Sequence, residues 1–373
     1  MITSFDDYCI HQTYLPVAQP SQSDRNFYDR YWFNGCDGEG SYNFEIGFGL
    51  YPNRHIMDGH FSVAMGEKQH AFHCSRRAPK DRKETVVGPL QVEVLTPMRQ
   101  IKVSLAPNEH NIECDLTFTA CSIPHQEPAN EMDDDGHVIM QNSRFTQLGY
   151  WQGYFSVDGV KTEVNKAYGT RDKSWGVRPV GEPQGGAPGL LTGDPGVYWV
   201  WNPINWGEFC TQMGTFEDRD GKPTQLSADK VPLYSKPEDI PEGEEGVVKM
   251  TTVEHDLHWQ KGTRLAGGGD FLMKDAEGNA FEYSVQPLQK FYMLGVGYNH
   301  FEWGHAYWKG ELETGREDWD FADINPLDYQ YLHTHQVVKA TSKCGKEGIG
   351  VLESIVIGRH DRSGFKDLFD GAE

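Results

Sequence analysis

Between Tyr42 and Leu50 the side chains change character at every step. Tyr42, Phe44, Ile46, Phe48 and Leu50 fall on one side of an extended chain, and Asn43, Glu45, Gly47 and Gly49 on the other. Successive side chains of a strand point to opposite faces, whereas a helix would scatter those five apolar residues around its axis. The stretch therefore specifies a strand with one apolar face. A second strand sorts Met57, Gly59, Phe61 and Val63 from Asp58, His60 and Ser62, with surface exposure the expectation for Asp58 and His60. Further strands are expected at 90–96, 100–105 and 112–120, where Ile112, Cys114, Leu116 and Phe118 alternate with polar neighbours. Pro52-Asn53, Pro107-Asn108 and Asp158-Gly159 supply the turns. No segment keeps a 3.6-residue period for more than about three turns.

The second half repeats this pattern without visible sequence repetition. Strands are expected at 197–202, 208–217, 247–259, 264–274, 280–286, 289–298, 300–312, 329–341 and 349–358. A chain of 373 residues suits two domains or one large all-β domain. The Pro- and Gly-rich stretch 179–196 reads as a linker or a lid. The resulting division is an N-terminal arm over 1–28, a β domain over 29–190 and a second over 191–373.

Charge narrows the partners. A formal net charge of −21, with no compensating basic patch, argues against nucleic acid and anionic membranes. The N-terminus lacks the basic and apolar regions of a secretory signal, and no apolar run approaches the roughly 18 residues of a membrane span. The seven cysteines are odd in number and form no Cys-x-x-Cys pair, which fits reduced thiols in a cytoplasm. Nothing in the sequence sets the oligomeric state.

The densest chemistry lies at Gly169-Thr170-Arg171-Asp172-Lys173-Ser174-Trp175-Gly176. Glycines allow close approaches that other residues cannot make, so this cluster is either a shaped barrel corner or a site. In the corner reading, Arg171 pairs with Asp172 and Trp175 plugs a barrel end. In the site reading, Asp172 is a proton donor beside an aromatic wall.

That core, Asp29-Arg30-Tyr31-Trp32-Phe33-Asn34-Gly35, and Leu50-Tyr51-Pro52-Asn53 with Met57-Asp58 and Phe61-Ser62-Val63 resemble the carotenoid 1,2-hydratase and AttH-like superfamily. So does His300 to Glu311, centred on Trp303-Gly304-His305. The resemblance runs as ordered anchor points through residues 25–320. It implies two lipocalin-like β-barrel domains packed together, with an apolar cavity between or within them. It also implies chemistry on isoprenoid or polyene-like substrates without an organic cofactor, by adding water to an alkene or steering a cyclisation.

Alkene hydration needs an acid that protonates carbon, a wall that stabilises a cation and a base for water. A carboxyl in an apolar pocket keeps its proton, and aromatic faces attract cations. Asp172 with Trp151, Tyr168, Arg171, Trp175, Trp199 and Trp201 meets that list, although each ring taken alone is also ordinary barrel filling. His300 and Glu302 share a strand phase and read as an acid–base pair facing one cavity, flanked by Trp303 and His305. Glu353 is in phase with Ile349, Val351, Ile355 and Ile357, hence either a buried titratable carboxyl or the partner of an interior arginine. His333 and His335 have a metal-ligand spacing. Glu254, His255 or His258 could complete such a set, but none is fixed by phase, so no metal is expected. Dinucleotide and phosphate-loop signatures are absent, and no cofactor is expected.

Two functions stay open: a cofactor-free lyase (hydratase) or isomerase acting on a hydrophobic isoprenoid-like or polycyclic molecule, or a carrier that binds such a molecule unchanged. Should Asp172, His300, Glu302 and Glu353 all point away from the main cavity, the carrier is favoured.

Overall fold

The computed structural model describes residues 2–134, 136–181 and 196–373, so most of the expected junction at 179–196 lies outside the described residues. The fold is all-β, with two lipocalin-like antiparallel barrels. Among the described residues every helical element is a 3-10 turn of three or four residues.

The first sheet runs, from one edge to the other, through Leu312–Asp320, Lys68–Arg77, Ile56–Met65, Asn43–Tyr51, Phe27–Cys36, Val160–Val177, His137–Val157, Ile112–Ala120, Gln100–Leu105, Leu90–Thr96 and Val86–Val87. It curls until Leu90 meets Gly59, where a Cβ would lie 2.6 Å from the leucine Cδ2. Leu312–Asp320 comes from the C-terminal half of the chain yet hydrogen-bonds Lys68–Arg77 at the edge of this sheet. Phe33, Phe44, Phe61, Phe118, Trp151 and Phe155 fill the interior, each fully buried aromatic contributing about 1.5–3 kcal/mol.

The second sheet closes on itself. Phe209–Glu217 pairs with Pro223–Pro232 on one side and, on the other, with Val197–Trp201 and Ile204–Asn205. These two short strands are halves of one staff, and both also pair with Glu347–Ile357. Val248–Trp259, Ala266–Asp275, Ala280–Tyr292 and His333–Ser342 complete the ring.

The strand Asn43–Tyr51 is buried at all nine positions. Its apolar phase lines the first barrel, as the alternation predicts. Its other phase is covered by the second barrel and the segment 293–306. Gly47 and Gly49 make that cover possible. A Cβ at 47 would lie 2.2 Å from Arg30 Nη2, and one at 49 would lie 2.5 Å from the Tyr51 hydroxyl. The same cover buries Asp58 and His60, correcting the expectation that both are exposed. Asp58 accepts from the Ala306 N–H at 2.7 Å, and His60 shares a hydrogen bond with His73 at 2.8 Å between their Nδ1 atoms.

Two further expectations are corrected. The stretch 169–177 is not a corner but part of the 18-residue strand Val160–Val177, paired along both edges. Residues 300–311 form a turn-rich loop rather than a strand, because Ala280–Tyr292 ends in a 3-10 turn at Met293–Val296 and the left-handed Gly297.

Candidate active site between the two sheets

Cross-strand register decides which side chains leave the first barrel. Trp32 lies opposite both Gly47 and Asp172, and Asp172 lies opposite Thr146. Neighbours across a pleated sheet share a face. Arg30, Trp32, Asn34, Glu45, Arg144, Thr146, Asp172 and Ser174 therefore form a polar layer on the outer surface of the first sheet. The second barrel presents Trp199, Trp201, His333, His335 and Glu353 to this layer, and the tryptophans of both sides join one cluster.

Asp172 retains 14% side-chain exposure, and its nearest cation is Arg144 Nη1 at 3.9 Å. Burial raises its carboxyl. Arg144 and Arg30 pull it down, Glu127 and Glu353 push it up, and it settles at about 6. Arg144 is anchored by Glu127 at 2.5 Å, and its guanidinium lies 5.1 Å from the Trp199 ring centre and 5.5 Å from that of Trp201. The tryptophan pair thus already holds a cation on its faces.

Glu353 is buried and its two oxygens are fully used. Oε2 accepts from Trp199 Nε1 at 2.9 Å, and Oε1 lies 2.6 Å from His333 Nε2 and 3.1 Å from His335 Nε2. His335 also reaches Glu45 Oε1 through Nδ1 at 3.2 Å. Glu45 is fixed in turn by Trp32 Nε1 and Asn43 Nδ2, both at 3.0 Å. Burial lowers the His335 imidazole, but Glu45 and Glu353 overcome this and hold it at about 10, an imidazolium. Glu353 is thus a buried carboxyl whose partners are histidines, not an arginine.

A second histidine cluster borders the first sheet. His300 Nε2 lies 2.5 Å from Glu317 Oε2, and His73 Nε2 lies 3.3 Å from the same oxygen. The His300 Nδ1 accepts the backbone N–H groups of Glu302 and Trp303 at 3.0 and 2.9 Å. An atom that accepts carries no proton, so the ring proton of His300 sits on Nε2 and is donated to Glu317.

Several predicted site residues lie elsewhere. Arg171 points into the first barrel, opposite in phase to Asp172, and donates to Gln147 Oε1 at 2.9 and 2.6 Å. Among the described residues no carboxylate pairs with it, and burial lowers it to about 10. The expected Arg171–Asp172 pair is absent because adjacent strand residues face opposite ways. Trp151 is buried among Phe33, Phe44 and Phe118, and donates to the Asn34 carbonyl. Tyr168 packs on Tyr150. Trp175 is exposed beside Phe145. Glu302 is exposed, 3.9 Å from Lys309, and does not face His300 in a shared cavity. Trp303 stacks on His73, and His305 bonds the Val296 carbonyl and Arg178. Of the residues named from sequence, Asp172, Trp199, Trp201, His333, His335 and Glu353 come together. Of the suggested third ligands, His255 pairs with Glu217 and His258 with Asp270, while Glu254 lies outside the cluster; Glu353 takes that place, directly opposite His335.

Sequence reasoning missed Arg144, Glu127, Glu45 and Arg30. Glu45 stands in the polar phase of a strand whose apolar phase was plain, and Arg30 pairs across from that strand at Gly49. The glycines beside them at 47 and 49 were the available signal, since an exposed face has no need of them.

A cavity with apolar side chains in its wall lies elsewhere, at a mouth of the first barrel crossed by the N-terminal arm. It measures about 500 Å³ and is lined by Phe5, Leu15, Tyr31, Phe48, Met57 and Trp175, with Lys173 and Asp29 paired at its wall. Asp172, His300, Glu302 and Glu353 do not line it. Among the described residues no helix is long and apolar enough to cross a membrane.

The family described as a family of unknown function (DUF8625) matches residues 2–366. No curated protein matches the chain by sequence. The crystal structure of a putative AttH from Nitrosomonas europaea is similar with a TM-score of 0.53 and 10% identity, covering 91% of this chain and 99% of its own. Kievitone hydratase from Nectria haematococca gives 0.48 at 12% identity, covering 87% and 88%. The AttH likeness is one of fold, and it bears out the architecture expected from the motif resemblance.

Proposed function

This chain belongs to the family of unknown function DUF8625, and from the site's geometry we propose that it is a lyase of the hydratase type, or an isomerase, using acid–base chemistry on a hydrophobic small molecule. The observation that carries this reading is Asp172. Its carboxyl is largely withdrawn from water, is held at about 6 and stands beside Arg144, which packs on two tryptophan faces. A carboxyl in that range keeps enough of its proton near neutrality to deliver it to a bound alkene. Trp199 and Trp201 are the rings that would face developing positive charge once Arg144 withdraws from their faces, since two cations repel. The motif resemblance to hydratases, and the fold shared with the AttH structure, support the same reading.

The test is Asp172→Asn, which keeps shape but removes the transferable proton. Wild type is incubated with a panel of isoprenoid and polycyclic alkenes, and products are followed by mass spectrometry for gain or loss of water, or for rearrangement at constant mass. Turnover should fall by a factor on the order of 10² to 10⁴ while circular dichroism stays unchanged. Undiminished turnover in the variant would remove Asp172 from the mechanism.

One observation favours the carrier reading. None of the four titratable candidates lines the cavity of about 500 Å³ beneath the arm. A hydrophobic molecule co-purifying at one per chain, released unchanged and displaced by Met57→Trp, would establish it.

A further inference from the structure

We propose that His333, His335 and Glu353 form a binding site for a divalent first-row transition metal, zinc being the simplest occupant, with Glu45 fixing the His335 ring from behind. The inference is independent of the role given to Asp172, since it concerns binding and not the reaction.

The donors come from two neighbouring antiparallel strands. His333 and His335 are two residues apart and share a face, and Glu353 pairs directly with His335. One ligand atom from each lies within 4.8 Å of the others. Two imidazoles and a carboxylate are a donor set that zinc and its neighbours take, with coordination positions left over.

The ring behind the donors is set for this. His335 Nδ1 meets Glu45, and the two Glu45 oxygens also accept from Trp32 and Asn43. A carboxylate so placed can only accept, which puts a proton on Nδ1 and leaves Nε2 of the neutral ring with its lone pair. Carboxylate–histidine–metal relays are built in this way. His335 Nε2 is also a buried polar atom without a hydrogen bond, since its 3.1 Å approach to Glu353 is off the direction a bond requires. The His335 side chain is 2% exposed, which leaves water little access to that atom.

Charge points the same way. Glu45 and Glu353 are both buried, at 0% and 8% exposure. Uncompensated buried charge is costly, and a bound cation is the largest local charge a site can recruit.

The experiment uses the full chain after chelator treatment and dialysis. Zn²⁺ is titrated calorimetrically at pH 8, and Co²⁺ is followed by its visible absorption. One ion per chain is expected, with a raised melting temperature in zinc. His335→Asn should abolish uptake, and Glu45→Gln should weaken it by about 10- to 100-fold. His300→Asn, in the other histidine cluster, should leave it unchanged. Should His335→Asn fail to fold, Glu45→Gln and the wild-type titration still decide. Absence of stoichiometric uptake by wild type, undiminished uptake in Glu45→Gln, or loss in a folded His300→Asn would each overturn the proposal. Because the readout is metal uptake, its failure leaves the Asp172 reading standing, and the reverse also holds.

Discussion

His73, His300 and Glu317 gather on the first sheet and the loop beside it, and His333, His335 and Glu353 on the second; each group brings two imidazoles and a carboxylate within 4.8 Å. By residue type the two are equivalent. They part at the atom behind the ring. His300 Nδ1 accepts two backbone N–H groups, so its Nε2 keeps a proton and can only donate to Glu317. His335 Nδ1 faces a carboxylate and keeps its proton there, so its Nε2 can serve as a ligand once an ion displaces the second imidazolium proton. His300 is thereby a hydrogen-bonded brace on a loop, whereas the second cluster has the donor arrangement and backing carboxylate of a metal site. Spacing selects which groups meet, and the second layer of partners selects what they do.

The largest expected effect comes from removing each carboxylate in metal-free protein. Glu353 is buried against an imidazolium and two other donors, whereas the Glu317 side chain is 37% exposed. Glu353→Gln leaves His335 with Glu45 alone and should cost about 3–5 kcal/mol. Glu317→Gln should cost about 1 kcal/mol or less, because solvent screens an exposed pair. Urea unfolding of the two variants at pH 7 measures both. Equal losses would mean that burial does not separate the clusters.

A pH series sharpens the comparison with a smaller effect. Burial raises the Glu317 carboxyl, but the hydrogen bonds from His300 and His73 outweigh it and hold it at about 2, below its ordinary 4.5. Its stabilisation is therefore present above about 4.5 and lost as pH falls toward 2. Asp172 moves the other way, from 3.8 up to about 6, in a setting of Arg144, Arg30, Glu127, Glu353 and Tyr28. A raised carboxyl favours folding below its unfolded value, and that contribution is lost as pH rises through about 6. Asp172→Asn should consequently be neutral below pH 4 and stabilising by about 1–3 kcal/mol at pH 8, the residual exposure of Asp172 trimming the full linkage value. A variant less stable than wild type at pH 8 would show that Asp172 is a structural tie.

The strands were largely legible because alternation needs only one covered face. What alternation cannot report is a second cover. Asp58 and His60 look like surface residues until the loop 293–306 is laid over them, and nothing local to the strand announces that loop. The same blindness paired Arg171 with Asp172, where treating the stretch as a corner hid the strict in–out phase of a long strand. His300 and Glu302 were assigned to a strand because the aromatic run Phe301-Glu302-Trp303 imitates one, yet Gly297 and Gly304 break it. Glu353 and the His333/His335 pair were each visible alone. Their meeting depends on register across two strands, which no spacing within one strand contains.

The smallest effect tests the tautomers themselves. Long-range ¹H–¹⁵N correlation through the imidazole rings reports which nitrogen carries the proton. In the metal-free protein His300 should show a bare Nδ1 and a protonated Nε2, as its two backbone donors require. His335 should show protons on both nitrogens, because, despite burial, the charges of Glu45 and Glu353 hold its ring as an imidazolium. On adding one equivalent of zinc, His335 Nε2 should lose its proton while Nδ1 keeps its own, and the His300 signals should not move. Glu45 would then remain a hydrogen-bond acceptor throughout, with the imidazolium proton replaced by the ion. The opposite pattern, with His300 shifting and His335 unchanged, would put the ion at Glu317. The peptide N–H groups of Glu302 and Trp303 would then have to release Nδ1 first, and the loop that carries Trp303 and His305 would have to rearrange with them.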